Sequence, residues 1–323
     1  MKAIQWARKA LKESGYEMIV EPQVVRSMPW SEVICFQTSH GAVYLKSMAK
    51  NFAYEPVLLA FLNHSNFSNL PNIIATNIES QCFLMHDAGQ PLRQILKKNY
   101  DVILCGDALE TYAKLQVDCI PLTGSLMQMG VMDCRLARLP ELYEKFVLNK
   151  KFLLSEGLTT QEIEKLLNLR KTFVRLCKEL GDYGIPETLE HGDFHDNNLL
   201  IKEGKITIND FGDAAITHPF FSIASFLNSS ERHHHLNPID EKYIVLRDRY
   251  LREWCAYAPG DKLIKAFNIA YLLRPFVWAL SFMRIKSCEG IEKYPEYKDY
   301  LTESLKTLMN NMVEYDANEP TET

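Results

Sequence analysis

One stretch of 25 residues constrains this 323-residue chain more than any other: LEHGDFHDNNLLIKEGKITINDFGD, residues 189–213. Its second half, NLLIKEGKITIND, contains two alternating apolar runs separated by Glu203-Gly204. This pattern is typical of a β-hairpin with a two-residue turn, in which Gly supplies the positive φ that such turns require. The stretch should therefore fold back on itself and bring its polar ends together.

The register of this hairpin decides which polar side chains meet at its open end. Pairing outward from Lys202 with Lys205 places Asn198 opposite Asn209, one residue before Asp210. An amide oxygen and a carboxylate held at one end of a ribbon form a hard-oxygen site that suits Mg²⁺, an ion that also binds phosphates. We therefore predict a Mg²⁺ site at Asn198 and Asp210.

Asp193 lies five residues before Asn198, across a loop, and can face the same cavity. A carboxylate that faces a hydroxyl can orient it and accept its proton during transfer. The order His191, Asp193, Asn198 and then a strand that ends in Asp210-Phe-Gly is the arrangement of the protein kinases. We predict that Asp193 and His191 are catalytic, although His191 also suits a hydrogen-bonded loop anchor and the whole set could be a structural polar loop.

This interpretation requires a cation in the β-rich part to hold nucleotide phosphates. The segment AVYLK supplies Lys46 at the end of a predicted strand, where alternation separates it from Val43 and Leu45. Lys46 can then point into a cleft, and Glu55, at the start of the following helix, is its expected ion-pair partner. Capping of that helix is the alternative role for Glu55.

The chain changes character near residue 86. Five strand-like segments, MIVEPQVV, SEVICFQT, AVYLKSM, NIIATNIES and CFLM, are interrupted by one helical segment, EPVLLAFLNH, and are followed by mostly helical sequence. We predict an α+β fold with two lobes. The small β-rich lobe, residues 1–86, would bind nucleotide, and the larger α-rich lobe, residues 87–323, would hold the catalytic and substrate-binding residues.

Composition excludes several other classes. The net charge of -5 gives no basic field for a nucleic acid. Eight scattered cysteines without a CxxC pair favour buried thiols, and the N-terminus lacks the continuous apolar core of a secretory signal. The longest apolar run contains Arg274 and Pro275, which favours a buried helix over a membrane span. We expect a cytoplasmic protein with no nucleic-acid or membrane partner, and the sequence leaves its oligomeric state open.

The chain resembles the aminoglycoside phosphotransferase (phosphotransferase enzyme) family, small-molecule relatives of the protein kinases, over nearly its whole length. HGDFHDNNLL and INDFGDAAITHPFFSIASFL resemble its catalytic and metal loops, and YLKSM, YEPVLLAFL and FLMHDAGQPLR resemble its small lobe and hinge. The resemblance implies a protein-kinase-like bilobal fold that binds ATP and Mg²⁺. It also implies the following roles: Lys46 on the α/β-phosphates, Asp193 as catalytic base, Asn198 and Asp210 as metal ligands, and Met85, His86 and Asp87 as the hinge that binds adenine.

Two departures from the kinase pattern bear on the substrate. The first turn reads RSMPWSEV rather than GxGxxG, so phosphate contacts would come from Ser27, Ser31 or nearby backbone amides. No APE segment follows the metal loop, which disfavours a protein substrate. A protein kinase is therefore a minor alternative.

The acceptor is expected to be a small hydroxylated molecule, either aminoglycoside-like or a metabolite of the kind used by choline, homoserine and fructosamine kinases. A catalytically silent nucleotide-binding module is the remaining alternative. The consecutive histidines His233-His234-His235 are expected in an exposed loop, because they cannot all point one way to bind a metal. Carboxylates available to hold a polycation are Asp133, Glu231, Asp240 and Glu241, although each alone also suits a solvated surface.

Overall fold

The computed structural model describes residues 2–65 and 67–318. An antiparallel sheet dominates the first 86 residues, with strand order β1-β2-β3-β5-β4. Its β2–β3 hairpin closes through Ser39 and His40. The five strands are β1 (Gln23–Met28), β2 (Ser31–Thr38), β3 (Gly41–Met48), β4 (Ile73–Asn77) and β5 (Cys82–His86).

The first predicted strand is wrong at its start. The segment MIVEPQVV begins at Met18, yet β1 begins only at Gln23, and Met18 makes an isolated bridge with Thr38. Pro22 lies between the two, and a proline has no N–H to continue a strand ladder. The remaining four predicted strands are present.

Two helices pack against this sheet and set the direction of its side chains. Helix α1 (Lys2–Glu13) covers one face, where Leu11 joins Val43 and Leu45 in a buried cluster. Alternation along β3 places Lys46 on the opposite face, toward the helical part. Helix α2 (Glu55–His64) has the predicted bounds and carries a proline in its first turn, where the missing N–H costs little.

The rest of the chain is mainly helical and surrounds one large apolar core. The helical run that follows Thr159 is divided at Leu169, and a capping box of Thr159 with Glu162 begins its first part. These helices are α3 (Leu92–Leu96), α4 (Val102–Cys119), α5 (Thr123–Gln128), α6 (Leu139–Leu148), α7 (Lys150–Ser155), α8 (Thr160–Asn168), α9 (Arg170–Asp182), α10 (Phe220–His234), α11 (Glu241–Arg252), α12 (Gly260–Lys286) and α13 (Tyr300–Asn318).

Two three-stranded sheets carry the loops between these helices. Strand order is β10-β9-β6 in one and β7-β11-β8 in the other. The predicted hairpin is present with its predicted register: Lys202 pairs with Lys205, and the N–H of Asn209 donates to the carbonyl oxygen of Asn198 at 2.9 Å. The strands are β6 (Gln90–Pro91), β7 (Met132–Asp133), β8 (Thr188–Glu190), β9 (Leu199–Lys202), β10 (Lys205–Ile208) and β11 (Ala215–Thr217).

Helix α12 contains the long apolar run and includes Pro275 in its interior. In the part of the chain that the structure describes, it is the one helix long and apolar enough to cross a membrane. Its most apolar window is 67% buried inside the protein, as is common for a core helix. The eight cysteines are free thiols; six are buried, Cys35 is half-buried and Cys255 is exposed.

Candidate active site

A cavity of about 370 Å³ lies between the five-stranded sheet and the helical part. Lys46 and Glu55 line it from β3 and α2, and Asp193, Asn198 and Asp210 line it from the catalytic loop and the hairpin. These residues come from elements that are far apart in the sequence. The fold therefore brings the main predicted site residues to one place.

Lys46 forms ion pairs with two carboxylates inside this cavity. Its Nζ donates to Oε1 of Glu55 at 2.8 Å and to Oδ1 of Asp210 at 2.6 Å. Burial alone would lower the pKa of Lys46, but Asp210 and Glu55 raise it above its usual value, so the ammonium group is charged. Glu55 lies in the first turn of α2, and its carboxylate pairs with Lys46. This contact is the predicted ion pair.

The catalytic loop holds Asp193 at the cavity surface, with its side chain 41% exposed. Nδ2 of Asn198 donates to the carbonyl oxygen of Asp193 at 2.8 Å and to Oδ2 at 3.1 Å, and Nε2 of His195 lies 3.3 Å from the same Oδ2. Burial alone would raise the pKa of Asp193, but His195, His191 and Asn198 hold it below its usual range. The carboxylate is therefore ionised and oriented.

Asp210 has a strained backbone, with φ 71° and ψ 65°. A non-glycine residue in this left-handed region costs about 1–3 kcal/mol, and such strain is concentrated at functional sites. The catalytic and metal loops also pack closely together beside Asp210. A Cβ on Gly192 would lie 2.1 Å from the carbonyl oxygen of Asp213, so only glycine allows the catalytic loop to pack against the metal loop.

His191 is fully buried behind this loop and does not line the cavity. Its Nε2 donates to the carbonyl oxygen of Asn209 at 2.9 Å, and its Nδ1 accepts from the N–H of Asp193 at 3.3 Å. Burial lowers the pKa of His191, although Asp193 opposes that shift, so the ring is neutral near pH 7. Its contacts fit a loop anchor rather than a group that exchanges protons with a substrate.

The oxygen atoms beside Asp210 fit a hard divalent cation. Because Nδ2 of Asn198 donates to Asp193, its amide oxygen is left for another partner. Oδ1 of Asp213 is buried without a hydrogen-bond partner, and Nη1 of Arg284 lies 3.8 Å from it. One amide and two carboxylates match the ligand preference of Mg²⁺. Within residues 2–65 and 67–318, no three His, Cys, Asp or Glu side chains form a group that could hold a metal by themselves.

The two serines predicted to contact phosphates differ in position. Ser31 lines the cavity beside Lys46. Ser27 is exposed, and its Oγ donates to Oε1 of Glu32 at 3.5 Å outside the cavity lining. Arg26 and Trp30, which sequence reasoning did not select, line the cavity from the same β1–β2 hairpin.

The predicted hinge residues, Met85, His86 and Asp87, lie outside this lining. Met85 is paired within the sheet and is 8% exposed. The N–H of His86 donates to the carbonyl oxygen of Asn72 at 3.0 Å, and that of Asp87 donates to the carbonyl oxygen of Ala42 at 3.2 Å. Because both N–H groups are already used, adenine bound at this hinge would need to bond to other backbone groups of the segment.

A C-terminal segment that sequence reasoning missed closes the cavity. The ring of Trp30 meets the ring of Tyr297 edge-on, with 4.9 Å between centroids. The hydroxyl of Tyr294 donates to the carbonyl oxygen of Ser27 at 3.2 Å. The aromatic run YPEYKDY, residues 294–300, was the available signal for this contact.

The second aspartate of the catalytic loop, Asp196, has a different environment. Its side chain is 1% exposed and accepts hydrogen bonds from Nη2 of Arg93 at 2.7 Å, from Oγ of Ser229 at 3.1 Å and from Nε2 of His234 at 2.6 Å.

The expectation that His233-His234-His235 form an exposed loop was wrong, because the first two end α10 and His234 packs inward on Asp196.

The carboxylates considered for a polycationic acceptor lie outside the cavity lining. Asp133 is paired with Arg135, with Oδ1 2.8 Å from Nε. Oε1 of Glu231 accepts from the hydroxyl of Tyr271 at 3.4 Å. The four residues in question are Asp133, Glu231, Asp240 and Glu241.

Comparison with solved structures identifies the fold class. A choline kinase from Cryptosporidium parvum Iowa II has a TM-score of 0.66 at 15% identity, covering 92% of this chain and 90% of that one. The choline kinase LicA from Streptococcus pneumoniae gives 0.61 at 13%, with 98% and 100% covered, and the GDP and kanamycin complex of APH(2")-IIia gives 0.60 at 16%, with 96% and 99% covered. The predicted two-lobed, kinase-like α+β fold is confirmed.

The sequence itself gives the family. The model of the phosphotransferase enzyme family matches residues 56–262, well over half of the chain. This protein therefore belongs to the phosphotransferase enzyme family, as its motifs predict. A comparison with curated proteins gave no match.

Proposed function

We propose that this protein transfers the γ-phosphate of ATP, with Mg²⁺, to a hydroxyl group of a small molecule. The observation that supports this most is the convergence of Lys46, Glu55 and Asp210 with Asp193 and Asn198 in one cavity. Family membership and the kinase-like fold favour the same chemistry. We expect the enzyme to act in the cytoplasm.

In this mechanism the acceptor hydroxyl oxygen attacks the γ-phosphorus. The new O–P bond forms as the bond from the γ-phosphorus to the β–γ bridging oxygen breaks, so ADP leaves and the hydroxyl proton passes to a carboxylate oxygen of Asp193. The low pKa of Asp193 favours orientation of the hydroxyl with late proton transfer. His191 and Asn198 hold the loop that carries Asp193.

The charges that stabilise the transferred group come from both sides of the cavity. Lys46 would hold the α/β-phosphates, and Asn198 and Asp210, with Asp213 beside them, would hold Mg²⁺. When bound, this ion would neutralise charge on the phosphate oxygens. Ser31 and backbone amides of the β1–β2 turn would contact phosphates, and Met85, His86 and Asp87 would bind adenine; Ser27 lies outside the cavity lining.

Of the two acceptor classes, the metabolite class fits this cavity better. An aminoglycoside carries several positive charges and needs clustered carboxylates. The four candidate carboxylates lie outside the lining, whereas the arginines Arg26, Arg93 and Arg232 lie within it. A metabolite-kinase role is therefore favoured over antibiotic phosphorylation, and within that class the arginines disfavour a cationic acceptor such as choline.

The test is nucleotide binding and transfer by the full-length protein. We expect Mg·ATP to raise its melting temperature and ATP to be consumed with some member of a panel of amino alcohols, sugars, hydroxy acids and aminoglycosides. Asp210→Ala should weaken Mg·ATP binding, because it removes a metal ligand and the partner of Lys46. Asp240→Ala, a carboxylate outside the cavity lining, is the matched control. A folded wild-type protein without Mg·ATP binding would refute the proposal.

A further inference from the structure

The wall of the cavity opposite the sheet is built by α10, α12 and residues 297–300. Its members include Arg232 and His233 at the end of α10, and Trp278 and Phe282 on α12. Within the described chain, the part of the lining that comes from residues 220–300 includes no Asp or Glu. The wall is therefore aromatic and positively charged, and its charge is opposite to that of the catalytic carboxylates across the cavity.

A buried arginine behind this wall strengthens the positive charge. Arg274 is 7% exposed, and among the described residues it forms no ion pair within 4.0 Å. Its Nη1 donates to Oγ of Ser225 at 3.3 Å, and its guanidinium lies 4.3 Å from the ring centroid of Trp278. Ser225 and Trp278 both line the cavity. Burial lowers the pKa of Arg274 to about 10, which leaves it charged at neutral pH.

A buried guanidinium without a direct ion-pair partner lowers the stability of the folded protein, and an anionic ligand would offset that cost on binding. Glu231 lies six residues after Ser225 on α10. Its carboxylate accepts from the hydroxyl of Tyr271, and its charge offsets part of that of Arg274 and Arg232 without a direct ion pair. Arg232 is exposed at the cavity and likewise has no ion-pair partner in residues 2–65 and 67–318. Neither guanidinium group at this wall therefore has a direct ion-pair partner among the described residues.

We propose that the acceptor is a small hydroxylated anion, whose carboxylate or phosphate group binds Arg232 at the cavity wall while its hydroxyl reaches Asp193, with Arg274 behind the wall adding positive charge. This inference rests on the proposed function, because it names the substrate class of the same cavity. The rings of Trp278 and Phe282 would cover the body of the molecule. Guanidinium groups suit this task, since their planar N–H donors match carboxylate and phosphate oxygens.

A cationic acceptor fits the same wall less well. Aromatic rings can bind an ammonium group through their faces. Here Arg274 already lies over Trp278, and Phe282 is stacked on Tyr300 with 5.2 Å between centroids and 4° between planes. A second cation at this position would be repelled by Arg274 and Arg232.

The test compares acceptors that differ in one charged group: gluconate with sorbitol, glucose 6-phosphate with glucose, and glycerate with glycerol, with choline and kanamycin as cations. Transfer by the full-length protein is measured with Mg·ATP, and binding is measured calorimetrically in the presence of a non-hydrolysable ATP analogue. We expect at least one anion to exceed its neutral counterpart at least about tenfold in kcat/KM. The gluconate and glucose 6-phosphate arms separate carboxylate from phosphate recognition.

Variants test whether Arg274 and Arg232 cause the preference for an anionic acceptor. Arg274→Met and Arg232→Gln should each raise the KM for the anionic acceptor about tenfold or more, while the KM for ATP changes less than about twofold. Because Arg232 is exposed, its variant tests the inference even if Arg274→Met fails to fold. Arg252→Gln, an exposed arginine at the end of α11, is the matched control and should change neither value.

Three results would overturn the inference: preferred transfer to a neutral or cationic member, a rise in the KM for ATP instead of the acceptor, or neither binding nor transfer with any anionic member. Loss of the proposed function would be recognised separately, because the folded wild-type protein would then fail to bind Mg·ATP. Mg·ATP binding with transfer to choline or kanamycin would refute the anionic acceptor alone.

Discussion

Asp193 and Asp196 lie three residues apart in one loop and have opposite environments. The side chain of Asp193 is 41% exposed at the cavity, and its hydrogen bonds come from the neighbouring residues of its own loop and hairpin. The side chain of Asp196 is 1% exposed and is bonded to Arg93, Ser229 and His234 from two other elements. The first carboxylate is oriented and open; the second is fully paired.

The difference separates a group available for chemistry from a group that holds the loop in place. A carboxylate whose oxygens are all paired cannot accept a proton from a substrate without losing those partners. Asp196 joins α3, the catalytic loop and the end of α10, so it fixes the loop from which Asp193 projects. Sequence spacing alone does not distinguish the two residues.

The largest expected effect is a loss of catalysis when Asp193 is replaced. Asp193→Asn keeps the size of the side chain but removes the proton acceptor, so kcat should fall by ~10²–10⁴-fold. The dissociation constant of Mg·ATP should change less than about threefold, because Asp193 is assigned to the hydroxyl rather than to the nucleotide. A phosphate-transfer assay measures kcat, and calorimetric titration with Mg·ATP measures the dissociation constant. A kcat near that of the wild type would rule out the assigned role.

The next effect concerns stability and falls on Asp196. Asp196→Asn leaves the Arg93 guanidinium, whose side chain is 18% exposed, beside a neutral amide. Loss of one partner of a fully buried ion pair costs about 3–5 kcal/mol, which is an upper bound for this pair. We expect the free energy of unfolding, measured by urea denaturation, to fall by that order. The matched variant Asp193→Asn should change it by less than about 1 kcal/mol, because its side chain is exposed.

A double variant tests whether the stability lost at Asp196 comes from its pairing with Arg93. Combining Arg93→Met with Asp196→Asn removes both charges, so the double variant should be more stable than the sum of the two single losses predicts. Strict additivity of the two losses would mean that Arg93 and Asp196 do not stabilise the fold through each other. Equal destabilisation by Asp193→Asn and Asp196→Asn would remove the distinction drawn between these two aspartates.

Much of the site could be predicted because its determinants are local. Glu203-Gly204 fixes the hairpin, the hairpin register fixes Asn198 beside Asn209, and alternation along β3 separates Lys46 from Val43. Period-two and period-3.6 patterns likewise predict the helices and most strands. These features depend on residues that are close in the sequence, so the pattern contains the information.

The features that were missed depend on contacts between distant elements. Trp30 meets Tyr297 across the cavity, and Asp196 meets Arg93 and His234, and neither contact follows from the spacing of the residues involved. The inward position of His234 is another case, because the end of α10 is fixed by its packing rather than by local propensity. A single sequence does not reveal such pairs.

The acceptor wall belongs to the same class of feature. In the sequence Arg274 is only a charge that interrupts an apolar run, whereas in the fold its contacts with Ser225 and Trp278 place that charge behind the cavity wall. The charge of the cavity wall follows from how α10 and α12 pack. It could not have been read from the surface carboxylates that the sequence offered.

The smallest expected effect concerns a third carboxylate of the same stretch, Glu190, which is fully enclosed behind the catalytic loop. Oε1 accepts from the hydroxyl of Ser222 at 2.7 Å, and Oε2 accepts from the N–H of Gly192 at 2.8 Å. Burial raises the pKa of Glu190 from 4.5 to about 7, and the two hydrogen bonds only partly oppose that shift. Unlike Asp196, it has no cationic partner within 4.0 Å in the described chain.

Because its pKa is higher in the folded state, Glu190 binds its proton more tightly there than in the unfolded chain. Its cost to stability is absent below pH 4.5, grows as the pH rises, and is complete above about pH 7. Glu190→Gln should therefore flatten the fall in unfolding free energy between pH 4.5 and 7, by roughly 1–3 kcal/mol. Urea denaturation at several pH values measures this, with exposed Glu164→Gln as the control. Parallel curves for wild type and Glu190→Gln would show that Glu190 stays ionised in the folded protein, as Asp196 does.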